Sequence, residues 1–180
     1  MSIRVRRELE PGDLGAIVAQ HGRLYALEYG HDATFEAMVA TSVATPAARG
    51  WPGERERIWI IERGGELAGS LGLTDEGNDE ARLRWFLLAP DLRGQGLGRR
   101  LLSQLLAEAL SLGYEQVTLE TFSDLEAAAR LYREHGFELV WSDTAPRWGR
   151  AEVTYQRYEL ELASAPRPGR ADAVGSTPHA

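Results

Sequence analysis

Three glycines alternate in Arg93-Gly94-Gln95-Gly96-Leu97-Gly98-Arg99-Arg100, between the apolar run Phe86-Leu87-Leu88 and an amphipathic stretch. Glycine opens backbone conformations closed to other residues, so successive N–H groups can converge on one anion. A strand that turns through such a loop into a helix start also presents the helix's positive end and its unpaired donors. The chemistry favoured here is phosphate binding, and Arg93, Arg99 and Arg100 add positive charge in an acidic chain. Two common phosphate loops do not fit. A P-loop ends in Gly-Lys-Ser/Thr, whereas Gly98 is followed by Arg99-Arg100. A dinucleotide fingerprint needs another glycine three residues on, where the chain has Arg99 counted from Gly96 and Leu101 counted from Gly98.

Periodicity locates the elements that must position this loop. Glu80 to Leu88 reads as a strand running into Pro90, and Leu97, Leu101, Leu102, Leu105, Ala109 and Leu110 then recur at helical spacing as far as Gly113. Gln116 to Phe122 reads as a second strand, with Val117, Leu119 and Thr121 alternating against Thr118 and Glu120. Ser123 or Asp124 is placed to cap a helix carrying Leu125, Ala128, Ala129, Leu131 and Tyr132, which stops at His135-Gly136. Phe137 to Trp141 begins a further strand and Ala151 to Leu162 gives the last. Upstream, Ile3 to Leu9 reads as a strand, Pro11-Gly12-Asp13 starts a helix through about Tyr29, and Ala33 to Ala48 makes another. Arg57 to Glu62 and Glu66 to Thr74 form a hairpin around Gly64-Gly65.

The pattern Arg-x-x-Gly-x-Gly at Arg93, Gly96 and Gly98 resembles the acetyl-CoA signature of the GNAT N-acetyltransferase superfamily. Leu131-Tyr132 followed by Gly136-Phe137 resembles a second GNAT signature, and the likeness extends over roughly Glu80 to Val140. It implies an α/β (α+β) GNAT fold, a mixed and mostly antiparallel sheet of about seven strands flanked by about four helices. It further implies acetyl-CoA as co-substrate, with Phe86, Leu87 and Leu88 beside the pantetheine and Arg93, Gly94, Gln95, Gly96, Leu97, Gly98 and Arg99 around the pyrophosphate. The finer likeness is to GNAT domains fused to MarR-type regulators, carried by Gly22 to Gly30 and by Ala81-Arg82-Leu83-Arg84. The winged-helix half of such fusions is not among these residues, so DNA binding is not carried over. A MarR-free GNAT domain is therefore expected over residues 1–162, followed by a disordered tail over 163–180 that is rich in Ala, Ser, Pro, Gly and Arg.

Acyl transfer to an amine needs a base, because freeing an alkylammonium (pKa about 10.4) at neutral pH costs roughly 4–5 kcal/mol. Glu120, near the end of the strand after the cofactor helix, is the candidate; the matching position of ribosomal-protein alanine acetyltransferases implies that role. The resemblance assigns Tyr132 as the acid that protonates the departing thiolate. Many family members carry an asparagine seven residues before this tyrosine, where this chain has Leu125. Tyr25, Glu28 and Tyr29 are expected to shape the acceptor pocket, the carboxylate pairing an ammonium that the tyrosines box. Trp141 and Trp148 are further wall candidates. A catalytically weak acyl-CoA sensor or partner module with the same fold would share the cradle; Glu120 and Tyr132 favour the enzyme.

Composition narrows the remaining classes. The chain has 180 residues, 27 acidic against 20 basic side chains, a formal charge of −7 and no cysteine, which excludes disulfides and thiolate chemistry. This balance argues against nucleic acid as a partner and suits a cationic amine of a small molecule or peptide. No long apolar segment or basic-apolar leader is present, so a cytoplasmic protein with no membrane partner is expected. His21, His31 and His135 lack metal-ligand spacing, and no metal is expected. A homodimer through the late strands is a further expectation.

Overall fold

The computed structural model describes residues 2–162. The tail expected over 163–180 lies outside them. In chain order the elements are β1 (Ile3–Arg6), α1 (Asp13–Tyr29), α2 (Ala33–Ala48), β2 (Arg57–Arg63), β3 (Glu66–Gly77), β4 (Glu80–Leu88), α3 (Leu97–Ser111), β5 (Gln116–Phe122), α4 (Glu126–Glu134), β6 (Glu138–Arg147) and β7 (Arg150–Glu161). The seven strands form one sheet in the order β1-β2-β3-β4-β5-β7-β6. Only β4 and β5 pair in parallel; every other neighbouring pair is antiparallel. The expected mixed sheet and four helices are therefore present.

Both sheet faces are covered, which explains the buried run Ile58-Trp59-Ile60-Ile61 in β2. Ile58 and Ile60 pack with Ile17, Phe35, Val39 and Val43 of α1 and α2. Trp59 and Ile61 join Leu101, Leu102, Leu105 and Ala109 of α3 on the other face. Each fully buried large apolar side chain contributes about 1.5–3 kcal/mol. Three local expectations change. β1 ends at Arg6, not Leu9, because the Arg6 guanidinium turns inward to bond both Asp13 oxygens at 2.8 and 2.9 Å. The start of α4 is capped by neither Ser123 nor Asp124; Leu125 holds the cap position without a side-chain bond, while Asp124 pairs with Arg150. Trp141 is half exposed on edge strand β6 and lines no cleft, since β6 has no covering helix on that face.

His21, buried on α1, donates from Nδ1 to the Ile17 carbonyl at 2.8 Å and stacks on Tyr25. Burial pushes its pKa down to about 4. Between that value and about 6.5 the unfolded chain binds a proton that the folded chain refuses. The stability is complete above the unfolded value and is lost as pH falls towards the folded one. Lowering pH from 7 to 4.5 should therefore cost wild type about 2–3 kcal/mol more than His21→Gln, read from urea unfolding. Equal losses in the two proteins would contradict this origin.

Candidate active site

The site begins where β4 and β5 part. Their registered pairs run from Glu80–Gln116 to Leu83–Leu119 and stop there. A register shift against β3 lies between Ser70 and Gly72, opposite the stretch of β4 holding Trp85, whose φ of +49° is rare for a residue with a side chain. The bulge is clamped from several sides. The Trp85 carbonyl accepts from Ser70 Oγ at 2.6 Å, and its indole N–H donates to Ser42 Oγ at 2.9 Å. Gly72 supplies the space for its ring, because a Cβ there would stand 2.7 Å from Trp85. The bulge swings Phe86, Leu87 and Leu88 away from β5, leaving their β5-facing backbone without a strand partner. A cleft of about 1670 Å³ opens in the gap.

The glycine loop closes one end. Gly96 caps α3 in the left-handed region, with φ +78° and no side-chain cap bond, so the first amides of the helix remain available to an anion. Arg93, Gly94, Gly96, Gly98 and Arg99 line the cleft together with Phe86, Leu87 and Leu88. Gln95 and Leu97 do not. Gln95 folds back onto the Asp91 carbonyl at 2.6 Å, and Leu97 is buried in the core beneath α3. Arg93 braces the loop, donating from Nε to the Leu88 carbonyl at 2.8 Å and gripping both Glu28 oxygens at 2.7 and 3.0 Å. Arg99 pairs with Glu134. An uncapped helix start beside a strand with open amides fits a phosphate group joined to an amide-bearing arm.

Glu120 and Tyr132 lie on the same cleft. Tyr155 donates to Glu120 Oε2 at 3.0 Å, and Arg82 Nη1 stands 3.5 Å from Oε1. The Glu120 carboxylate is thus oriented from one side and left partly open. Burial and then this carboxylate push the Tyr155 hydroxyl above the usual tyrosine range. Burial does the same for Tyr132, which stays protonated at neutral pH. Sequence reading missed Tyr155 and Arg82. Tyr155 stands opposite Phe122 in the β5–β7 register, a placement that only the pairing reveals.

Tyr25 and Tyr29 belong to a larger aromatic cluster. Tyr25 stacks on Phe35 at 4.5 Å, and Phe122 meets Tyr25, Tyr29 and Trp148 at 5.4–5.8 Å. Trp148 sits at the β6–β7 turn, whose carbonyl accepts from the Asp32 amide at 2.9 Å and ties that turn to the α1–α2 junction. Tyr25, Tyr29 and Trp148 line the cleft. Glu28 is gripped by Arg93 and also bonds the Tyr29 side chain, which places it between the loop and the tyrosines.

Residues 24–137 match the model of the acetyltransferase (GNAT) family. The chain is 33% identical over 85 residues to the uncharacterized N-acetyltransferase YjgM of Escherichia coli, over 46% of this chain and 51% of that protein. It is 27% identical over 184 residues to the L-amino acid N-acyltransferase MnaT of Escherichia coli, over 97% of this chain and all of that protein. It thus spans about half the length of the first relative and the whole of the second. A Salmonella typhimurium structure solved with its cofactor acetyl-CoA superposes with a TM-score of 0.67 at 20% identity, covering 95% of this chain and 100% of that one. No helix among the described residues is long and apolar enough to cross a membrane.

Proposed function

The chain belongs to the acetyltransferase (GNAT) family, and from that premise we propose that it transfers an acyl group, most simply acetyl, from acyl-CoA to a primary amine of a small molecule or peptide. One observation carries the reading: the gap between β4 and β5 joins an uncapped helix start at one end to the Glu120–Tyr155 pair at the other. The loop from Arg93 to Arg99 holds the pyrophosphate on backbone amides, and the β5-facing edge of Phe86, Leu87 and Leu88 meets the pantetheine. The Salmonella neighbour solved with acetyl-CoA supports acetyl-CoA as the co-substrate. Glu120 takes a proton from the ammonium. The freed nitrogen then bonds to the thioester carbonyl carbon, the carbon–sulfur bond breaks, and the amide forms. Coenzyme A leaves as a thiolate, to which Tyr132 donates a hydrogen bond and then a proton; the second proton, shed by the nitrogen as the amide forms, returns through solvent to the Tyr132 phenolate, so the proton on Glu120 is the one released per turnover. Amine and thioester are held by the same walls, so much of the rate comes from positioning.

We also propose a cytoplasmic setting and a kinship with MarR-fused GNAT domains, carried by Gly22 to Gly30 and Ala81 to Arg84, without their DNA binding. Pairing through β6 is also proposed. Leu139, Val140 and Trp141 are each about half exposed on this edge strand, an apolar template for a second copy. Light scattering should give a dimer at micromolar concentration and a monomer for Trp141→Glu; a wild-type monomer would remove the proposal.

The experiment that tests the enzymatic reading is coenzyme A thiol release from acetyl-CoA across a panel of amines and N-terminal peptides. The chain contains no lysine, so acetylation of its own side-chain amines cannot supply a false signal. Release that depends on a particular amine is expected. Tight coenzyme A binding with no release for any amine would make the protein a sensor.

A further inference from the structure

Three arginines lie on the cleft-side face of β4 and β7, and they are not equivalent. Arg84 donates to Thr74 Oγ1 at 2.9 Å and to Glu76 at 3.0 Å. Arg157 donates to Glu80 at 3.2 Å and to Glu159 at 2.8 Å. Arg82 stands between them with three carboxylates nearby, Glu120 at 3.5 Å, Glu76 at 3.8 Å and Glu80 at 4.0 Å. Its guanidinium makes no hydrogen bond to any of them, and its Nε is buried without a partner among the described residues. The side chain is only 18% exposed, and it lines the cleft beside Glu120. A mostly buried guanidinium with unfilled donors is costly unless a ligand fills them. Its planar fork fits a carboxylate.

We infer that the acceptor is a free α-amino acid bound as its zwitterion, the ammonium on Glu120 and the carboxylate on Arg82. This rests on the N-acyltransfer reading above and names the substrate class of that site. The charges of an α-amino acid are one carbon apart, a span that matches the 3.5 Å Arg82–Glu120 pair, so the zwitterion can lie across it with each charge over its opposite. A polyamine would bring further cations against Arg82 and Arg84. A peptide N-terminus or an amino-acid amide would bring a neutral group to the fork and leave its donors unfilled. Phe122 follows Glu120 on the same face of β5, with Tyr29 and Trp148 beyond it along the cleft, so the acceptor's side chain is apolar.

The test compares L-leucine and L-phenylalanine with their amides and with the corresponding decarboxylated amines, using thiol release from acetyl-CoA. The amino acids should exceed both analogues by about 10- to 100-fold in kcat/KM, although the amide's ammonium is the more easily deprotonated. Arg82→Gln should remove that preference by raising KM for the amino acids with little change in kcat, and Arg82→Lys should restore part of it. Equal use of acid and amide by wild type, or an unchanged preference in Arg82→Gln, would overturn the inference while leaving acyltransfer standing. If no amine at all is turned over, the acyltransfer reading fails, and calorimetry of L-phenylalanine into the coenzyme A-bound protein decides this one. Binding that Arg82→Gln abolishes would support it; no binding would overturn it.

Discussion

Glu120→Gln is expected to slow acetyl transfer by about 100- to 10,000-fold at neutral pH while leaving coenzyme A affinity and thermal stability near wild type. The amide keeps the shape of the carboxylate and can still accept from Tyr155, which bonds Oε2 at 3.0 Å. It cannot take a proton. Raising the pH should rescue the variant in part, because more of the acceptor is then already the free amine. Tyr132→Phe should cost less, since a thiolate of ordinary pKa near 8.5 can leave unprotonated, and high pH should not rescue it in the same way. The buried Tyr132 hydroxyl is a weak acid, which also limits its share of the rate. Wild-type turnover by Glu120→Gln at pH 7 would place the base elsewhere. Glu28 is a poor substitute, because Arg93 holds both of its oxygens.

Gly96→Glu should abolish coenzyme A binding, an affinity loss of at least about 1,000-fold by calorimetry, together with the thermal stabilisation that the ligand confers. A side chain at φ +78° is strained by roughly 1–2 kcal/mol. Packing is not the obstacle, since nothing lies within 4 Å of a Cβ built there. A carboxylate at a helix start is itself favourable to the helix, so the variant should fold. It would instead occupy the anion site with its own negative charge. Gly96→Ala, strained but uncharged, should bind with an intermediate affinity. Equal affinity for wild type and Gly96→Glu would remove the pyrophosphate from this loop.

The parts of the fold legible in the sequence were those fixed by local chemistry. The spacing of Leu97, Leu101, Leu102 and Leu105 announced α3, and the glycines around Arg93 announced a loop with open amides. What escaped was set by tertiary pairing. The bulge at Trp85 depends on Ser42, Ser70 and Gly72 and gives no sign in the β4 sequence itself, yet it opens the cleft. The neighbours of Glu120 come from register: Arg82 from β4 and Tyr155 from β7 are brought to it by pairings that no period specifies. Glu28 illustrates the same limit in reverse. Beside two tyrosines in sequence it suggested an ammonium pocket, but an arginine 65 residues away claims it. Trp141 and Trp148 look equivalent as aromatic residues of the late strands. One faces outward from edge strand β6, and the other is folded into the cleft because its turn docks on Asp32.

We propose that this cleft joins an acyl-CoA to an amine through Glu120. The most direct test is to quantify the acetylated amine by mass spectrometry and free coenzyme A thiol in one reaction, for wild type and for Glu120→Gln. One acetylated amine is expected for each thiol released by wild type, none without the amine, and both products should be lost together in the variant despite retained coenzyme A binding. Thiol release that does not require an amine, or equal product from the two proteins, would contradict it.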